Sequence, residues 1–104
     1  MAEVLFQFDT PLTLTEGPSY LPRACGRETD GLWEGWIEFL PNDSSAVLRS
    51  GRETLQPNRE ALLYWATGLT PVYLEGSLER TLAPPRAVAA TPPAEPAFSG
   101  PARR

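Results

Sequence analysis

The sequence predicts an α+β fold: a curled antiparallel sheet of about five strands, with a half-open barrel as its more closed form and one helix before the last strand. Three observations carry this. Residues 32–40 (LWEGWIEFL) alternate, with Trp33, Gly35, Ile37 and Phe39 on one side and Glu34, Trp36 and Glu38 on the other; a period of two is the signature of a strand. Asp30-Gly31 precedes that run, and aspartate followed by glycine supplies the positive φ a tight hairpin turn needs. Further on, Leu62, Trp65, Ala66 and Leu69 fall at i, i+3, i+4 and i+7, an apolar stripe on a helix.

Taken in order, residues 3–8 alternate with Val4, Phe6 and Phe8 on one face and predict a first strand, which Asp9-Thr10-Pro11 ends. Residues 12–18 read as a Thr-rich loop broken by Gly17-Pro18. Residues 20–28 read as extended, and Pro22, with no N–H to donate, favours an edge position. After the hairpin, residues 41–45 (PNDSS) form a turn and residues 46–49 a returning strand. Short turns between successive strands imply an antiparallel meander.

The region that organises the chain is residues 58–82. Asn58 caps a helix by accepting from an amide one turn in, Glu60 suits the positive end of the dipole, and Gly68 ends the helix as a residue tolerant of left-handed backbone. Such a short helix is marginal alone, so Leu62 and Trp65 must pack on something else. From Val72 the chain alternates again: Val72, Leu74, Gly76, Leu78 and Leu82 on one side, Tyr73, Glu75, Ser77, Glu79 and Thr81 on the other. The strand reading is preferred because this alternation is longer than the helical stripe is wide. The alternative is a second helix, with Thr70 as cap, Pro71 at its first position and leucines spaced by four.

Composition sets the limits. The folded body is residues 1–82; residues 83–104 are rich in Pro and Ala, cannot bury enough apolar surface to offset ordering, and are expected to be a disordered tail. Nine of the ten aromatic residues lie in the body, an economical filling for a small core. The body holds six arginines against twelve acids, so it is acidic, which argues against a nucleic-acid partner. There is no His and no Lys, which removes the commonest general base, Schiff-base chemistry and imidazole ligation. Cys25 has neither a disulfide partner in the chain nor a histidine to activate it, and is expected to be a small buried side chain. No signal sequence or apolar run of membrane-spanning length is present, so the expectation is a cytoplasmic, non-enzymatic protein with no cofactor, no metal and no membrane partner. Arg as the sole basic residue, with abundant Ala and Pro, suits a GC-rich bacterial genome.

Four residues are singled out as a partner-binding surface: Trp36, Tyr73, Arg27 and Arg52. Trp36 falls on the glutamate face of its strand, where it is either a contact residue or covered by the Thr-rich loop or Pro22. Arg27 and Arg52 belong to a tetrad that occurs twice, Gly26-Arg27-Glu28-Thr29 and Gly51-Arg52-Glu53-Thr54. Two converging guanidiniums could grip an anion, and local Arg–Glu pairing is the plainer alternative. The pairs Glu34/Glu38 and Glu75/Glu79 read as the wet faces of strands. The segments at residues 31–41 (GLWEGWIEFLP) and 50–82 resemble a family of short, uncharacterised bacterial proteins, a likeness that covers about half of the chain. That resemblance implies a folded bacterial cytosolic protein and brings no activity, cofactor or catalytic residue with it. The expected function is a protein–protein interaction module of a cytosolic assembly, compatible with a homo-oligomer; the alternative is a sensor or carrier of a small anion held by Arg27 and Arg52.

Overall fold

The computed structural model describes residues 2–14 and 17–83. The expected tail from residue 84 onward lies outside the described residues. The elements are β1 (Glu3–Gln7), β2 (Tyr20–Thr29), β3 (Leu32–Pro41), β4 (Leu48–Arg49), β5 (Thr54–Gln56), α1 (Arg59–Thr67) and α2 (Pro71–Leu82). The strands form one five-stranded sheet in the order β1-β2-β3-β4, with β5 also on β3; all pairings are antiparallel. The sheet is curled and open, not closed into a barrel. The α+β class and the strand number are as expected, but both helices follow the last strand.

The β2–β3 hairpin is the frame. Its two-residue loop places Asp30 at φ 53° and Gly31 at φ 80°, the paired positive values of a tight turn matched to strand twist. Ten cross-strand pairs follow, from Thr29↔Leu32 to Tyr20↔Pro41. Contrary to the edge expectation for Pro22, β2 is an inner strand. The Pro22 carbonyl accepts from Phe8 just beyond β1, and the N and O of one strand residue point the same way. The missing N–H therefore faces the end of β1 and costs no bond to β3. β1 also departs from simple alternation: its register shifts between Val4, opposite Cys25, and Phe6, opposite Ala24. That bulge puts Val4 on one face of the sheet while Phe6 packs edge-on against Phe8 on the other.

β4 and β5 run consecutively along the same edge of β3. Arg49 lies opposite Glu38 and Thr54 opposite Gly35, so five steps on one side answer three on the other. The surplus sits in residues 50–53, where the Ser50 hydroxyl accepts from the Ile37 N–H (3.0 Å) in place of a backbone carbonyl. The ladder resumes through Glu53 N–H to the Gly35 carbonyl (2.8 Å).

α1 starts as expected, with the Asn58 side chain accepting from the Ala61 N–H (2.8 Å). Leu62 and Ala66 are fully buried and Trp65 is half-buried. Gly68 ends it, but at φ −94°, ψ 0° rather than in the left-handed region; its N–H donates back to the Tyr64 and Trp65 carbonyls. α1 approaches the sheet over Gly26 and Gly35, which are cross-strand partners. A Cβ on Gly35 would lie 2.8 Å from both Leu62 and Trp65, and one on Gly26 would overlap Leu62 and come within 2.9 Å of the Glu34 carbonyl.

The expected strand at residues 72–82 is helix α2. Leu74 and Leu78 fit both readings, because a spacing of four is a multiple of two and close to one helical turn. The positions that separate the readings favour the helix: Ser77 is fully buried, while Val72 is 78 % exposed. Thr70 caps the helix by accepting from Tyr73 N–H (3.2 Å), and Pro71 sits where a missing N–H is free of cost. Leu74 and Leu78 close the core with Leu12, Tyr20, Ile37 and Phe39. Leu12 reaches it because its N–H and C=O both bond to Tyr20 (2.8 and 2.9 Å).

The glycines give opposite expectations. Gly35→Ala should destabilise the fold by about 1–3 kcal/mol, because α1 must move off the sheet. Gly76→Ala should stabilise by about 0.5–1 kcal/mol, since its Cβ would meet nothing closer than the Arg80 guanidinium at 3.6 Å. Urea unfolding of the two variants beside the parent measures both.

Candidate functional site

Both helices pack on the sheet face that carries Gly26, Gly35, Ile37 and Phe39. The opposite face has no helix on it among the described residues. Pairing sets what it displays: Arg27 opposite Glu34, Cys25 opposite Trp36, Arg23 opposite Glu38, and Arg49 on the far side of Glu38. Arg52, from the bulge after β4, joins the same layer 3.9 Å from Glu34.

The layer is built around Trp36. The indole is 2 % exposed, so it is core-like in burial although it lies on the face without helices. Of the two expectations for Trp36, a covered side chain rather than an exposed contact residue is what the structure has, and arginines supply cover. The Arg49 guanidinium lies 4.0 Å from the ring centroid and that of Arg27 5.9 Å. The indole N–H donates to Glu38 (3.2 Å), whose other oxygen is held by Arg23 (2.7 Å). Planar guanidiniums suit this position because they can lie flat on an aromatic face while their N–H groups point outward. Arg27 donates to Glu34, so the two arginines of the twin tetrads do converge, on a carboxylate of the protein itself. Arg49 has no carboxylate within 4.0 Å among the described residues.

Tyr73 stands apart from this group. It lies on α2, on the helix side of the sheet, and its hydroxyl donates to Glu53. The same carboxylate accepts from Ser77 (2.7 Å) and Arg80 (3.1 Å), and its side chain is 9 % exposed. Burial alone would raise the Glu53 pKa, but the hydrogen bonds from Tyr73 and Ser77 and the Arg80 charge outweigh it and hold the carboxyl below its ordinary range. For Tyr73 burial, the bond to Glu53 and the Glu53 charge all push the phenol upward. Glu53 is thus the polar clamp of α2, and Tyr73 belongs to that clamp. Glu38 follows the same pattern: burial opposes ionisation, yet the bonds from Trp36 and Arg23 lower its pKa.

Cys25 is buried as expected, and burial followed by the Glu38 charge pushes its thiol up to about 11. It is a packing residue, poorly suited to nucleophilic chemistry at neutral pH. Among the described residues no three His, Cys, Asp or Glu side chains are grouped so as to hold a metal ion, and no helix is long and apolar enough to cross a membrane.

Sequence reasoning did not single out Arg49, Arg23 or Glu53. The signal for two of the ion pairs was available: a two-residue turn at Asp30-Gly31 forces Arg27 opposite Glu34 and Arg23 opposite Glu38 by counting outward from it. Arg49 depends on the β3–β4 register, which crosses a longer turn, and Glu53 depends on α2 being a helix. Compared with protein-family models, curated proteins and solved structures, the chain matches none of them.

Two outcomes follow from this geometry. Trp36→Ala should cost about 3 kcal/mol, since it leaves a void under Arg49 and frees a buried edge of Glu38; equilibrium denaturation measures it. Glu53 and Glu38 have depressed pKa values when folded, so their stabilisation is complete above the ordinary carboxyl value of 4.5 and is lost as pH falls through the lowered folded-state values. Urea midpoints measured from about pH 6 to about pH 3 should fall, and Glu53→Gln should flatten that dependence.

Proposed function

We propose that this chain is a non-enzymatic protein-binding module of a bacterial cytosolic assembly, and that the sheet face without helices takes an acidic segment of its partner. The observation that carries the reading is the furnishing of that face. A wet sheet face needs only scattered polar side chains, whereas this one keeps a whole indole and roofs it with guanidinium planes. The charge there also runs against the rest of the chain. Arg23, Arg27, Arg49 and Arg52 outnumber Glu34 and Glu38 in a protein whose net charge is −4. A local excess of donors on an acidic body favours a carboxylate-bearing partner there and disfavours a nucleic acid, whose phosphates the remaining surface would repel.

The contact residues in this reading are Arg27, Arg49 and Arg52, with Trp36 as the platform beneath them. Tyr73 is left out, because its hydroxyl is committed to Glu53 on the other side of the sheet. The reading is preferred to a small-anion carrier that pairs Arg27 with Arg52, since Arg27 already donates to Glu34.

A fluorescein-labelled peptide rich in Asp and Glu tests it. Anisotropy should report binding that weakens strongly between about 50 and 500 mM salt. The double variant Arg27→Glu/Arg49→Glu should bind at least about tenfold more weakly. Equal affinity of that variant, at a melting temperature close to the parent's, would overturn the assignment.

A further inference from the structure

The bulge between β4 and β5 opens a second site at the edge of the sheet. Residues Arg49, Ser50, Gly51, Arg52, Glu53, Arg80 and Thr81 line a cleft of about 350 Å³. Three arginines line it from different elements: Arg49 from β4, Arg52 from the bulge and Arg80, which also holds Glu53, from the last turn of α2. Arg49 lies over the Trp36 ring and has no carboxylate within 4.0 Å among the described residues, so its N–H groups have no charged partner. Arg52 has only a 3.9 Å contact with Glu34, and more than half of its side chain is exposed. The acid of the cleft, Glu53, directs its oxygens at Tyr73, Ser77 and Arg80. The hydroxyls are also occupied: Ser50 donates to the Gly51 carbonyl (2.7 Å) and Thr81 to the Ser77 carbonyl (2.8 Å).

The backbone adds donors. Within the bulge, Ser50 N–H and Glu53 N–H return to β3, whereas Gly51 and Arg52 donate to no protein acceptor among the described residues. The space over the Gly51 Cα is open, with nothing within 4 Å of where a Cβ would stand. Two successive free amides beside three guanidinium forks call for a compact ligand with several acceptor oxygens. A carboxylate offers two oxygens in one plane, while a phosphate group offers three or more around a tetrahedral centre.

We propose that the cleft at the β4–β5 bulge binds the phosphate group of a small molecule, held by Arg49, Arg52 and Arg80 and by the amides of Gly51 and Arg52. The cleft leaves room for a modest organic body beyond the phosphate. Arg27 takes no part, because it faces Glu34 and does not line the cleft. The site shares Arg49 and Arg52 with the acidic-partner reading, and Arg27, which belongs to that reading alone, separates the two experimentally.

The test is titration of the full chain with inorganic phosphate and with pyrophosphate at constant ionic strength, against chloride, followed by ¹⁵N amide shifts. Saturable shifts at Gly51 and Arg52 that chloride does not reproduce are expected. Arg49→Gln and Arg80→Gln should each weaken binding by about tenfold, the loss expected for a charged hydrogen bond. Arg27→Gln should change it by less than about twofold. Linear shifts that chloride reproduces, or an equal loss in Arg27→Gln, would overturn the proposal by reducing the effect to general screening.

Discussion

The contact on which the rest of the molecule depends is Leu62 lodged over the cross-strand pair Gly26 and Gly35. Two glycines facing each other leave a notch in an otherwise side-chain-covered sheet, and α1 settles into it with Leu62 fully buried. A nine-residue helix would not hold its shape in water; the notch gives it contact on both sides of one leucine. Because α1 sits that low, Trp65 slides along Gly35 and the chain leaves the helix close enough to the sheet for α2 to lay Leu74 and Leu78 on Ile37 and Phe39. The core is therefore two helical contacts on one sheet face, and the first sets the height of the second.

That economy explains the other face. With both helices on one side, the second side of β2 and β3 has no apolar cover, yet it carries Trp36 and Cys25 in its middle. The arginines solve a solvation problem before they do anything else. Their flat, weakly hydrated head groups bury the indole while keeping water contact at the rim, which an aliphatic side chain could not do without exposing an apolar patch. The ion pairs of Arg27 with Glu34 and of Arg23 with Glu38 hold those two head groups in place more than they add stability, since exposed pairs contribute little.

Most of the sheet was legible in the residues. The turn chemistry of Asp30-Gly31, the alternation of residues 32–40 and the Asn58 cap each found its expected place, because each is a local signal with a local cause. The failures had separate causes. Residues 72–82 alternate and also repeat every four, and apolar spacing alone cannot separate those periods when the discriminating positions hold Val72 and Ser77. Burial of Trp36 was one of two open readings, but what covers it was out of reach: arginines count as polar in any pattern, and only the three-dimensional register puts Arg49 over the ring. β5 escaped notice because three residues are too few to show a period.

The bulges have a meaning beyond the residues they redirect. An open sheet ends in two strands with unused backbone groups, and such borders invite stray chains to add on. Here the border at β1 is broken by the register shift between Val4 and Phe6, and the border at β4–β5 by the extra residues 50–53. Neither rim offers an incoming strand an unbroken row of donors and acceptors. The irregularity that shapes a cleft on one side thus also denies a second chain a regular template at either border.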